Sequence, residues 1–202
     1  MVRCVGEKAP DFVAQAFLVD RPAEVQLSLL GGQWVILLFF PGVFTCVCPT
    51  ELAAIAVKYP AIKEVGAEVL AASIDSVDDH RKFQEKDLSV AVPGGARFPL
   101  IADCDGTVGS LYGVFTPQGK VHLRSHFIID PDGIIQAMEI LAPSIGRNVA
   151  EILRQLRALR EYRTTGQYTP CGWEPGKPTI PPPDPSGKPS KVLDGWKPGK
   201  AF

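Results

Sequence analysis

The chain has no surplus of either charge: 21 Lys and Arg stand against 22 Asp and Glu, a formal net charge of −1. That removes the electrostatic case for wrapping nucleic acid or lying on an acidic membrane surface. Long apolar runs are missing as well. The longest, Trp34 to Phe40, falls well short of the roughly 20 residues that a membrane span needs. Met1-Val2-Arg3-Cys4-Val5-Gly6-Glu7 offers no apolar core for a signal peptide, so a cytoplasmic protein is expected. Cysteine is sparse. Cys4, Cys46, Cys48, Cys104 and Cys171 are too few and too scattered for a disulfide framework. No second close Cys or His pair accompanies Cys46 and Cys48, so no metal site is expected. In a reducing compartment such thiols persist as core filler, ligands or reagents, and at least one of the five calls for a chemical explanation.

What is present is ordinary globular composition, 46% hydrophobic and 21% charged, enough for one core. Trp34 to Phe40, ending at Pro41-Gly42, reads as a strand buried on both faces. Leu52, Ile55, Ala56, Tyr59 and Ile62 repeat at helical spacing between Glu51 and Val65. Val69 to Ile74 is a second central strand, and Ser76 caps a polar helix running through Lys86. Phe98 to Asp103 is a third strand, with Pro99 marking an edge or a strand start. A short helix over Gly106 to Tyr112 follows. His126 to Ile129 and Ile134 to Ile140 flank Asp130-Pro131-Asp132-Gly133 as a hairpin. Asn148 caps a closing helix to Arg163, with Val149, Ile152, Leu153, Leu156 and Leu159 as its apolar stripe. This order predicts an α/β fold, a thioredoxin-like three-layer sandwich, over residues 1–163.

Residues 164–202 hold nine of the 19 prolines and six of the 19 glycines, the composition of an extended arm with little secondary structure of its own. The arm contains a near-repeat, Gly172-Trp173-Glu174-Pro175-Gly176-Lys177 and Gly195-Trp196-Lys197-Pro198-Gly199-Lys200. The plainer reading is duplicated low-complexity sequence. The other is a pair of Trp anchors that dock the arm on its own or a neighbouring subunit.

Between the first buried strand and its helix lies Pro41-Gly42-Val43-Phe44-Thr45-Cys46-Val47-Cys48-Pro49-Thr50-Glu51. Cys48 falls in or just before the first helical turn, where unpaired N–H groups and the positive end of the helix dipole favour an anion. Thiols in such settings react as thiolates, more so with a cation nearby. If the first turn starts at Thr45, its hydroxyl and the Cys48 sulfur share one face. Pro49 has no N–H to return to the Thr45 carbonyl, so the turn is expected to be marginal and to unwind once the sulfur is oxidised.

Pro41-x-x-x-Thr45-x-x-Cys48, followed by Pro49-Thr50-Glu51, strongly resembles the signature of the peroxiredoxins, specifically the alkyl hydroperoxide reductase and thiol-specific antioxidant group. The resemblance runs from Gly6-Glu7-Lys8-Ala9-Pro10-Asp11-Phe12 through Ser144-Ile145-Gly146-Arg147-Asn148 to the Trp173 region, and includes Arg124 ahead of Phe127-Ile128-Ile129-Asp130. It implies a cofactor-free thiol peroxidase that reduces hydrogen peroxide and organic hydroperoxides. Cys48 would attack one peroxide oxygen and become a sulfenic acid. Thr45 and Arg124 would hold the peroxide oxygens, Pro41 would shield the sulfenic acid, and Glu51 would orient Arg124 or its partner Arg147. His126, on the face of Arg124, is read as a packing or surface histidine.

The resemblance also implies a resolving thiol, for which Cys171 in the arm is the choice, on a partner subunit. The sequence departs from two-cysteine members here: Thr169 occupies the usual cysteine slot, and Thr169-Pro170-x-x-Trp173 resembles the one-cysteine subgroup, which uses an external thiol. Cys46 is read as a packing residue, Cys104 as buried or idle, and Cys4 as part of a frayed terminus. A homodimer, assembling into a ring, is the implied state. Thioredoxin or a flavoprotein disulfide reductase is the implied electron donor. Two other functions compete: a thiol–disulfide oxidoreductase built on Cys46 and Cys48, and a redox-regulated holdase.

Overall fold

The computed structural model describes residues 1–186 and Trp196, which fall into two compact units, Met1–Val149 and Ala150–Phe202. Most of the second half of the Trp repeat, and the Gly199-Lys200-Ala201-Phe202 end, lie outside the described residues.

The first unit opens with a hairpin, β1 (Val13–Leu18) and β2 (Arg21–Gln26), followed by β3 (Trp34–Phe39), α1 (Cys48–Glu64) and β4 (Ala67–Ser73). Next come α2 (Val77–Phe83), which runs through a π-helical turn at Gln84–Leu88 into α3 (Ser89–Ala91), then β5 (Leu100–Ala102) and α4 (Thr107–Tyr112). A small hairpin, β6 (Phe115–Thr116) and β7 (Val121–His122), precedes β8 (Arg124–Ile129) and β9 (Ile135–Leu141). Seven strands form one sheet in the order β2-β1-β5-β4-β3-β8-β9. Strands β3, β4 and β5 are parallel, with β8 antiparallel to β3. This is the thioredoxin-like α/β fold that the element order predicts.

All six residues of β3 are buried, as its unbroken apolar run requires of a central strand. Val35, Leu37 and Phe39 share one face with Leu70, Ala72, Phe127 and Ile129, and this core takes in Val108 and Tyr112 of α4. Leu38 pairs with His126 and Ile36 with Ile128, so strand alternation sends Arg124, His126 and Ile128 to the opposite face. Pro99 lies just ahead of β5, which has neighbours on both sides, so it marks a strand start and no edge. The Ser76 hydroxyl accepts from Asp79 N, and the Asp79 carboxylate from Ser76 N, a complete capping box at the predicted helix start. Gly133 takes the left-handed conformation in the Asp-Gly turn, with φ of 77°, and its N–H donates to the Asp130 carbonyl. Among the described residues, no helix is long and apolar enough to cross a membrane.

The helix α5 (Val149–Thr165), which from Ala150 onward belongs to the second unit, buries Ile152, Leu153 and Leu156. The arm that follows turns back on itself: Tyr168 and Ile180 exchange two backbone hydrogen bonds, and the Tyr162 and Tyr168 rings meet edge to face at 5.4 Å. Trp173 is buried. Its indole N–H donates to the Lys177 carbonyl at 3.0 Å, and its own carbonyl accepts from Arg154 of α5 at 2.9 Å. This Trp is thus an anchor within its own unit.

Candidate active site

The three parallel strands end along one edge of the sheet, where ligand sites of α/β folds gather. The loop from Phe40 to Val47 leaves β3 there and delivers Cys48 as the first residue of α1. Cys48 is fully buried. Arg124, at the start of β8, donates from Nη1 to the Cys48 sulfur at 3.4 Å. The same nitrogen donates to Glu51 Oε2, and Nη2 donates to the Pro143 carbonyl at 2.9 Å.

Glu51 is held from its other side by Arg147, whose backbone N and Nε donate to Oε1 at 2.7 and 2.9 Å and whose Nη2 donates to Oε2 at 2.9 Å. The remaining Arg147 nitrogen, Nη1, reaches the carbonyls of Phe39 and Ser125. Burial alone would raise the Glu51 pKa. The hydrogen bonds and charge of Arg147, with the charge of Arg124, more than offset that and hold the carboxyl below its ordinary value.

Two guanidinium groups and one carboxylate, all under 10% exposed, leave this cluster one positive charge in excess. A buried net charge is costly unless paired. The sulfur facing Arg124 is the group placed to supply the missing negative charge. Arg124 Nε is buried and has no hydrogen-bond partner among the described residues.

The structure therefore brings together four of the predicted site residues: Cys48, Glu51, Arg124 and Arg147. It revises the role given to Thr45 at the helix start. The N-cap is Val47, which makes no side-chain cap bond. Thr45 lies in the preceding bend, where its hydroxyl donates to the Gly42 carbonyl at 3.0 Å. Pro49 occupies the second helical position, where a backbone N–H has no helical partner to lose, and Thr50 and Glu51 both donate back to the Val47 carbonyl. The first turn is uncapped, but Pro49 is not the cause. Pro41 is half-buried at the head of the loop. Cys171 is exposed in a turn of the arm. Cys46 is exposed, against the expectation that it packs inside, and Cys104 is exposed as well, which removes the buried half of its reading. The Cys4 N–H is tied to Glu7 at 2.8 Å.

Asp75 escaped the sequence reading. It follows β4, accepts from the Val43 N–H at 2.8 Å and from the Ser73 hydroxyl at 2.6 Å, and so pins the loop that leads to Cys48. The signal available was its place just past the end of a strand parallel to β3. His126 is buried, and neither ring nitrogen has a hydrogen-bond partner among the described residues. Burial first, then the charge of Arg147, lowers its pKa to about 4, with Glu51 opposing. Its approach to Glu139, at 3.7 Å, is accordingly a contact of a neutral ring.

A buried sulfur at a helix start, facing a guanidinium that a carboxylate and a second arginine hold in place, is an arrangement that a thiol-dependent peroxidase can use. The chain belongs to the AhpC/TSA family, whose model matches residues 5–138. The C-terminal domain of 1-Cys peroxiredoxin matches residues 158–191. The selenocysteine-containing peroxiredoxin PrxU of Peptoclostridium acidaminophilum is 44% identical over 98% of both chains. The chloroplastic 2-Cys peroxiredoxin BAS1 of Hordeum vulgare is 38% identical, over 91% of this chain and 87% of that one. Among solved structures, the reduced 2-Cys peroxiredoxin of Plasmodium vivax superposes with a TM-score of 0.81 at 33% identity, over 87% of this chain and 91% of that one. A yeast mitochondrial 1-Cys peroxiredoxin gives 0.82 at 29% identity, over 91% and 88%. The protein is a peroxiredoxin, an enzyme that consumes peroxide. Neither the thiol–disulfide oxidoreductase built on Cys46 and Cys48 nor the holdase is favoured by these relationships.

Proposed function

We propose that Cys48 is the sulfur oxidised by hydrogen peroxide and organic hydroperoxides. The observation that carries this reading is the buried charge excess of Arg124, Arg147 and Glu51, which an anionic Cys48 sulfur balances. The sulfur attacks one peroxide oxygen. The S–O bond forms as the O–O bond breaks, the sulfur loses two electrons, and the leaving oxygen takes a proton to become water or an alcohol. Arg124, whose Nη1 faces the sulfur, stabilises charge as it moves from sulfur to the leaving oxygen. Glu51 and Arg147 hold Arg124, Thr45 contacts the peroxide, and Pro41 shields the sulfenic acid. Residues 1–163 carry this chemistry and 164–202 carry the second thiol.

In the second step the Cys171 thiol of a partner subunit attacks the Cys48 sulfenic acid, forming a disulfide and releasing water. Thioredoxin or a flavoprotein disulfide reductase in the cytoplasm then restores both thiols, and dimers assemble into a ring. Resolution by an external thiol is the second reading, supported by the match of residues 158–191 to a 1-Cys C-terminal domain and by Thr169 in the usual cysteine slot.

One set of variants tests both steps. Cys48→Ser is expected to abolish peroxide consumption, and retained consumption would overturn the role of Cys48. After peroxide treatment, an equimolar mixture of Cys48→Ser and Cys171→Ser chains is expected to yield a covalent dimer on non-reducing electrophoresis. Failure of that dimer, with peroxide turnover by Cys171→Ser sustained on glutathione, would transfer resolution to the external thiol.

A further inference from the structure

The hydrogen bonds of Asp75 and of Thr45 end on one peptide group. Val43 N–H donates to Asp75 Oδ2 at 2.8 Å, and the carbonyl of that peptide, Gly42 O, accepts from the Thr45 hydroxyl at 3.0 Å. The peptide is planar, with N–H and C=O pointing in opposite directions, so fixing one end fixes the other. Asp75 is itself fixed. Ser73, fully buried at the end of β4, donates its hydroxyl to the same Oδ2 at 2.6 Å, and the Asp75 N–H returns to that hydroxyl at 3.3 Å.

We propose that Asp75 is a positioning residue for peroxide reduction, aiming the Thr45 hydroxyl through the Gly42–Val43 peptide. A carboxylate on the N–H side makes a charge-assisted bond and polarises the carbonyl on the far side, strengthening its hold on the Thr45 proton. With that proton committed to Gly42 O, the Thr45 oxygen presents only lone pairs to an incoming molecule. An acceptor placed there selects the O–H end of a hydroperoxide, the end common to hydrogen peroxide and alkyl hydroperoxides. The inference deepens the proposed function and rests on its assignment of Thr45 and Cys48.

The test compares two reactions of Cys48 in the full-length protein: single-turnover oxidation by hydrogen peroxide, and alkylation by iodoacetamide, which involves no O–O bond to orient. Asp75→Ala is expected to slow oxidation about thirtyfold, within the range that loss of alignment costs, and to leave alkylation within about threefold. In a Thr45→Val background the same substitution is expected to add less than about twofold, because the two residues act in series. Asp75→Asn, which retains an acceptor oxygen for Val43 N–H, is expected to recover oxidation to within about fivefold of the parent. Equal losses with and without Thr45, or parallel losses in oxidation and alkylation, would overturn the proposal. Should Asp75→Ala fail to fold, Asp75→Glu asks the same question by moving the carboxylate one methylene, and an unchanged ratio of the two rates would count against it. Peroxide turnover surviving in Cys48→Ser would instead bring down the underlying assignment, a separable outcome.

Discussion

Glu51 is the residue on which the cluster turns, since it receives both arginines while nine-tenths or more buried. Replacing it by Gln keeps the shape and removes the charge, leaving two buried guanidinium groups without their anion. Breaking a buried pair in this way costs about 3 kcal/mol, so Glu51→Gln is expected to unfold at distinctly lower urea concentration. Peroxide oxidation of Cys48 should slow as well, because Arg124 loses the partner that holds it. Unchanged urea midpoint and unchanged oxidation rate would remove Glu51 from both roles. Of this cluster, Cys48 was legible from its place at a helix start, while Glu51, Arg124 and Arg147 were legible only through the family motifs that contain them, because Arg124 and Arg147 reach Glu51 from 73 and 96 positions away. Asp75 was not legible: its bond to Val43 spans 32 positions and exists because β3 and β4 lie side by side, which no local spacing encodes.

At the scale of elements, α1 begins without a side-chain cap, on Val47. A cap is worth about 1 kcal/mol, which corresponds to opening of the first turn about fivefold less often. Val47→Ser is therefore expected to slow disulfide formation at Cys48 about fivefold while leaving sulfenic acid formation unchanged. Rapid-quench alkylation followed by mass spectrometry separates the two steps, and equal disulfide rates would show that this turn does not gate the second step. The central strands, the capped α2 and the hairpin at Asp130–Gly133 could be read from apolar runs and turn chemistry. The β1–β2 hairpin could not. Its turn passes through Val19 at φ of 59°, where a left-handed residue is ordinarily Gly or Asn, and β2 carries Pro22 opposite Phe17, tolerable only because β2 is an edge strand. Both features hide a strand pair from a reading based on turn residues and propensity.

For the whole molecule, acid is the expected stress. His126 titrates near 6.5 when unfolded and at about 4 in the fold, so between those values the unfolded chain binds the extra proton and gains on the native state. The loss reaches at most about 3 kcal/mol as pH falls through that window. Glu51, whose pKa is lowered by folding, gives up its contribution in the same direction as pH falls further. His126→Leu is expected to flatten the dependence of melting temperature on pH between about 6.5 and 4, while an unchanged slope would assign the acid sensitivity elsewhere. The burial of Cys48 acts on turnover as well. In the proposed cycle, a sulfur with no accessible surface can be attacked by a second thiol only after the polypeptide around it opens. Raising the donor concentration can then accelerate the cycle only until breathing of the polypeptide becomes the slow event, and that plateau belongs to the enzyme whichever donor is used.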